Sequence, residues 1–272
     1  EKAADREDFS SDFQELFTED GDDEESQQGF AMAKVGSRYE YRLLTPQDTN
    51  VGTLFADQVW SGSVLLANFL AKNAAELVKN KRTIEFGAGT GLPSLACLSL
   101  ESELSIITDY PKEGILRALR QTVGYNWETC NRPKGRVAVV GHKWGEPVAN
   151  IIEAVEKLKE PSDDNTCKDN NYFDLAILSE CIWMHRTHGV LVQSLDRLLH
   201  PEHGVAVVTY AHHIPGYEEQ DDAFFDLCDK VRLKTEQIIV EDVEYMWDKQ
   251  KRIPEYLRVL RRTPAAAAAS VD

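Results

Sequence analysis

Gly87, Gly89 and Gly91 stand at every second position in the segment Thr83-Ile84-Glu85-Phe86-Gly87-Ala88-Gly89-Thr90-Gly91-Leu92-Pro93. Residues without a Cβ let the backbone turn sharply and come close to a ligand that a side chain would block. Eighteen residues past Gly91, the apolar run Leu104-Ser105-Ile106-Ile107-Thr108 ends in Asp109, where a second parallel strand would present a carboxylate to ribose hydroxyls. Strand, glycine loop, helix start, second strand and acid are together the parts of a nucleotide-cofactor cradle. The dinucleotide fingerprint G-x-G-x-x-G requires glycine at position 92, where leucine stands, and the phosphate loop G-x-x-x-x-G-K-[ST] is absent. The G-x-G-x-G spacing behind Glu85 instead suits S-adenosylmethionine, which carries an adenosine and no pyrophosphate.

Other residues have chemistry-bearing types, and each has a structural alternative. Asp109 is also placed to cap a helix starting at Pro111. Trp60 and Trp144 are as readily core aromatics as ligand contacts, and Glu180 after an apolar strand is also a helix-start acid. Cys181, His185 and His188 have spacings that one helical turn can offer to a metal, but no fourth ligand is evident and no metal site is expected. His212 and His213 are adjacent on an extended segment, so their side chains point apart. Ser179 lacks the G-x-S-x-G elbow of a nucleophilic serine.

The elements that must hold these residues follow from periodicity. One or two edge strands are expected over Lys34–Thr45, and a helix over Asp57–Lys79, capped by Ser61 or Ser63. A helix follows Pro93, whose missing N–H is harmless in a first turn. Further helices are expected over Gly114–Tyr125, Ile151–Lys159, Val190–Leu199 and Asp221–Val231. Strands are expected over Arg136–Val140, Tyr172–Leu178 and Val205–Tyr210, and a late antiparallel pair around Gln237–Val243 and Glu255–Leu260. The stretch Pro161–Asn171 reads as a surface insertion. This βα alternation gives an α/β class: a Rossmann-like, doubly wound, seven-stranded sheet, parallel with an antiparallel terminal hairpin. Ligands bind such sheets at the carboxyl ends of the strands.

The chain has 272 residues, 42% of them hydrophobic, enough for one large core with tails. Residues 1–29 hold twelve acids and two bases, so this tail carries −10 of the net −16 and reads as a disordered acidic arm. Residues 30–262 form the expected catalytic domain, and 263–272, with five consecutive alanines, a low-complexity tail. An acidic chain without a basic stripe is a poor nucleic-acid binder. No apolar run approaches the roughly 18 residues of a membrane span. No leader pattern is seen, and five dispersed cysteines without a C-x-x-C pair fit free thiols and a cytoplasmic location.

Trp60, Glu85-Phe86-Gly87-Ala88-Gly89-Thr90-Gly91-Leu92-Pro93-Ser94, Thr108-Asp109-Tyr110-Pro111, Trp144-Gly145 and Ser179-Glu180-Cys181-Ile182-Trp183 together resemble the seven-β-strand methyltransferase family 16. Within it, the resemblance is to the nicotinamide N-methyltransferase-like group that includes the fungal elongation-factor-1-alpha N-terminal and lysine methyltransferase. It implies the cofactor S-adenosyl-L-methionine, with Trp60 packed near it and Gly87, Ala88 and Gly89 lining its methionine and ribose portions. It also implies that Asp109 holds the ribose, Trp144 flanks the adenine and Ser179 touches the cofactor from the fourth strand. In the family's D-x-x-Y signature an acid and an aromatic frame the substrate amine. The matching residues here are Glu180 and Trp183, which depart from the signature at both ends. The implied activity is N-methylation of a protein lysine or N-terminal amine by a monomer, with elongation factor 1-alpha as the named partner. Methylation of a small nicotinamide-like amine, or a cofactor-binding module without catalysis, are the competing readings.

Overall fold

The computed structural model describes residues 28–46, 58–127, 136–159, 171–245 and 248–264. Residues 1–27 of the acidic arm, most of the 161–171 insertion and residues 265–272 of the alanine tail lie outside the described residues.

Seven strands make the main sheet: β3 (Arg82–Phe86), β4 (Leu104–Asp109), β5 (Arg136–Gly141), β6 (Leu175–Ser179), β7 (Val205–Ala211), β8 (Leu233–Tyr245) and β9 (Asp248–Arg262). Their spatial order is β5-β4-β3-β6-β7-β9-β8. Strands β3 to β7 are parallel, and β9 runs antiparallel to both neighbours. The chain starts in the middle of the sheet, winds outward through β4 and β5, then crosses back to lay β6 against the other side of β3. This reversal opens a crevice above the carboxyl ends of β3, β4 and β6.

Among the described residues, seven helices flank the sheet: α1 (Ser61–Lys72), α2 (Ala74–Leu77), α3 (Leu92–Ser99), α4 (Glu113–Asn126), α5 (Ala149–Lys157), α6 (His188–Leu198) and α7 (Glu218–Lys230). The two-residue period of the strands decides which face each helix covers. Ile177 and Val207 pack with Leu66 and Leu70 of α1. Their neighbours Ala176, Leu178, Ala206 and Val208 pack on the opposite face with Leu191 and Leu195 of α6 and Phe224 of α7. Both faces are covered, so β6 and β7 read as continuous apolar runs.

The expected edge strands form a ribbon of their own. β1 (Gln28–Val35) and β2 (Tyr39–Pro46) pair antiparallel, apart from the main sheet. Val35, Tyr41 and Leu43 pack beside Leu92 and Leu95 of α3. The free backbone donors of β2 go to a helix: Arg42 N–H donates to Asn126 Oδ1 at 2.8 Å and Leu44 N–H to Thr122 Oγ1 at 3.0 Å. A helix therefore satisfies the donors that a third strand would otherwise take.

The helix expected over Asp57–Lys79, whose first residue is not described, is two helices broken at Asn73. The Asn73 side-chain amide donates to Phe69 O at 2.8 Å and competes with the helix for its own carbonyl. Neither serine caps the start. Trp60 holds the N-cap position and its side chain does not cap the helix, while Ser61 Oγ donates to Glu255 Oε2 at 3.0 Å and Ser63 Oγ to Trp60 O at 2.7 Å. β6 begins three residues later than the apolar run, since Phe173 makes an isolated bridge to Leu199. The terminal hairpin is longer than either expected strand.

Candidate active site

The loop after β3 is held open by its own backbone. Gly87, Gly89 and Gly91 have φ of 60°, 53° and 75°, values that cost a residue with a Cβ about 1–2 kcal/mol. At Gly87 space is short as well. A Cβ there would stand 2.9 Å from Cys181 Sγ and 3.2 Å from the Trp144 ring. Glu85, buried just ahead of the loop, fastens it to α3. Its Oε2 accepts the Ser94 N–H at 3.0 Å and a short bond from the Ser94 hydroxyl. Burial pushes the Glu85 pKa up to about 8 against these donors.

Asp109, buried at the end of β4, takes two backbone donors, Gly89 N–H at 2.7 Å and Tyr110 N–H at 2.6 Å. It does not cap the next helix, whose N-cap is Lys112. Burial raises the Asp109 pKa to about 6, opposed by the two N–H groups. Ala88 is buried and packs with Ile107 of β4. Trp144, half-buried after β5, closes the crevice over Gly87. These features fit S-adenosylmethionine: a glycine floor that a methyl group would fill, a carboxylate locked at the second strand end, and an aromatic wall.

On the other side of β3, Glu180 follows β6 with φ of 55°, the left-handed region that non-glycine residues seldom adopt. The strain is held by Glu180 N–H donating to Thr209 O of β7 at 2.9 Å, while Thr209 Oγ1 donates to Ser179 Oγ at 3.2 Å. Glu180 therefore does not begin a helix. Its carboxyl is turned toward the start of α1, and Cys181 is turned against the glycine loop, donating from Sγ to Phe86 O at 3.0 Å. His213 Nε2 lies 3.1 Å from Glu180 Oε2 and presents its ring edge-on to Trp60 at 5.4 Å. Trp183 sits half-buried on the same turn, three residues beyond Glu180.

Sequence reasoning missed three contributors here. A Cβ on Gly62 would lie 2.6 Å from Glu180 Oε1 and 2.8 Å from Glu255 Oε1, so two carboxyls converge on the first turn of α1. Ser61 completes the set through Glu255. Glu255 stands in the last strand and is fully buried. An acid at the start of the expected strand Glu255–Leu260 reads as solvated, and only its partners reveal otherwise. The adjacent histidines do point apart: His212 Nδ1 is 2.9 Å from Asp221 Oδ2, whose Oδ1 is 2.7 Å from His185 Nε2. The side chains weighed as metal ligands are used separately, with Cys181 on Phe86 O and His188 Nε2 on Ile182 O. Among the described residues no group of three or more such side chains is placed to hold a metal ion.

Strand order, glycine loop and strand-end acid define a class I S-adenosylmethionine-dependent methyltransferase. Two solved methyltransferases share the fold at a TM-score of 0.50. One is a T. thermophilus 16S rRNA methyltransferase in complex with AdoMet and guanosine, 13% identical, covering 90% of this chain and 53% of its own. The other is a Methanosarcina mazei SAM-dependent methyltransferase, 11% identical, covering 72% and 98%. The family model described as lysine methyltransferase matches residues 41–231, and the chain belongs to that family. Among its relatives, the protein N-terminal and lysine N-methyltransferase of Gibberella zeae is 31% identical over 67% of this chain and 68% of its own. The protein of the same description from Schizosaccharomyces pombe is 28% identical over 75% and 74%.

Proposed function

We propose that this enzyme methylates a protein amine, a lysine side chain or an N-terminal α-amine, and that translation elongation factor 1-alpha is its substrate. The observation that carries the reading is the turn after β6. It sets the buried Glu180 carboxyl on His213, whose ring meets Trp60, with Trp183 three residues further along, while its neighbour Cys181 packs against the cofactor loop. S-adenosylmethionine supplies an electrophilic sulfonium methyl for in-line displacement. The loop and strand ends would hold it through Gly87, Ala88, Gly89 and Asp109, with Trp60, Trp144 and Ser179 at its edges.

What the chain must do is orient the amine and remove its proton. A free lysine has a pKa near 10.4, so about one in 2,500 is neutral at pH 7, a cost of roughly 4.6 kcal/mol. A desolvating slot favours the neutral amine, whereas a carboxylate favours the ammonium. Glu180 serves both stages because burial raises its own pKa above the usual carboxylate range. It is anionic enough to draw the ammonium in and basic enough to accept the proton. The aromatic walls then exclude water from the neutral nitrogen. The described cysteines, Cys97, Cys181 and Cys228, are free and buried, which supports a cytoplasmic site of action.

The test is incubation with methyl-labelled S-adenosylmethionine and purified elongation factor 1-alpha, followed by peptide mapping. Label at its N-terminus or at a lysine is the expected result. Label only on added nicotinamide-like amines, or on neither, contradicts the reading.

A further inference from the structure

From the convergence of Glu180 Oε1 and Glu255 Oε1 on Gly62, we infer that the two carboxyls share one proton, and that Glu255 is a neutral positioning residue that aims an ionised Glu180 at the substrate amine. This deepens the proposed role of Glu180 and rests on it.

The geometry leaves little else for these atoms. Glu180 Oε2 has His213 Nε2 at 3.1 Å, and Glu255 Oε2 has the Ser61 hydroxyl at 3.0 Å. Both Oε1 atoms are buried without a well-aligned donor, and the Glu180 carboxyl meets that of Glu255, with the backbone N–H groups of Ala211 and Gly62 also approaching it. Two bare carboxylates so placed repel each other strongly, and a single proton between them satisfies both oxygens. Nearby groups reinforce this. His213 is held neutral by burial, so it donates one hydrogen bond and supplies no compensating cation. Asp221 on α7, engaged with His185 and His212, adds negative potential. Cys181 is kept as a thiol, because burial pushes its pKa well up. Burial raises both carboxyls, and Glu255 rises the further because the charge of Glu180 adds to its burial, while the bond from Glu255 lowers Glu180. The proton therefore resides mainly on Glu255. The remaining negative charge sits at the first turn of α1, where backbone N–H groups favour an anion.

In the working cycle the pair holds one proton and one negative charge. An arriving ammonium passes a proton to Glu180, giving a neutral amine and a neutral, doubly protonated pair. The amine lone pair then forms the new N–CH3 bond while the sulfonium S–CH3 bond breaks. The pair returns a proton to solvent as the product leaves. Activity accordingly falls as pH drops through the raised first ionisation of the pair.

The pH dependence of kcat/KM is measured at saturating S-adenosylmethionine, with melting curves for each variant. Glu255→Ala lowers kcat/KM about tenfold at pH 7 and moves the acid limb up by about one unit, because Glu180 loses the donor that stabilises its charged form. Glu255→Gln, whose amide donates without titrating, recovers most of that loss and brings the limb back. If Glu255 is instead ionised in the native enzyme, Glu255→Gln moves the limb below the wild-type position, and the inference is overturned. Infrared difference spectra of intact protein give a second reading that does not depend on the alanine variant folding. A protonated carboxyl band present at pH 8 and lost in Glu255→Gln is expected, and its absence from the native enzyme overturns the inference. Glu180→Gln separates the two ideas. Full methylation by that variant defeats the proposed function itself, whereas its failure together with identical Glu255→Ala and Glu255→Gln profiles defeats only the shared proton.

Discussion

The floor of the donor side of the crevice is built within one segment of chain, from Glu85 to Asp109, with Trp144 added as a wall, while the acceptor side gathers Trp60, Gly62, Glu180, His213 and Glu255 from four separate elements. Both sides use buried acids, and the difference lies in what holds them. Glu85 and Asp109 are anchored by backbone N–H groups of the loop they shape. Glu180 and Glu255 meet each other and the side chains of His213 and Ser61. Backbone anchoring suits a cofactor common to many enzymes. Side-chain anchoring leaves the acceptor pocket open to change without disturbing the sheet.

The largest effect should come from Gly87→Val. Added strain at φ of 60° and the clash with Cys181 and Trp144 should lower affinity for S-adenosylmethionine by about two orders of magnitude, equivalent to ~3 kcal/mol. Calorimetric titration checks this, with circular dichroism reporting on the sheet. Asp109→Ala should weaken the same binding about tenfold to hundredfold, since hydrogen bonds to charged groups contribute ~1.5–3 kcal/mol. If neither variant changes donor affinity, the division of labour between the two sides is wrong.

Ser61→Ala strips the buried Glu255 Oε2 of its hydroxyl donor and should reduce stability by about 1–3 kcal/mol, read by denaturant unfolding. Donor binding should change far less, which sharpens the contrast. The last contrast is one of pH and concerns Glu85. Its folded pKa of about 8 stands above the ordinary 4.5, so between these values the folded state keeps a proton that the unfolded chain releases. Stability is therefore fully present below that window and is lost as pH rises through it. Glu85→Gln should flatten the fall in Tm between about pH 5 and pH 8.

Legibility in the sequence followed the same division. The glycine spacing and Asp109 were readable because a tight turn and a strand-end acid are local facts. Period-two alternation likewise foretold that His212 and His213 would face different partners. The β1–β2 ribbon was misplaced as sheet edge, because donors satisfied by Thr122 and Asn126 leave no local trace. Ser61 was read as a helix cap, although its hydroxyl serves an acid far along the chain. Glu255 was invisible as a site residue, since burial of a carboxyl in the middle of the last strand is decided by what packs over it.

The account is tested most directly by measuring, on Asp109→Ala and Glu180→Gln in parallel, the Kd for S-adenosylmethionine and the single-turnover rate of methyl transfer to elongation factor 1-alpha. Donor affinity should fall in the first variant and hold within about twofold in the second, while the transfer rate of the second drops about a hundredfold or more. A Glu180→Gln enzyme that loses donor affinity as Asp109→Ala does, or that transfers methyl at the native rate, contradicts it.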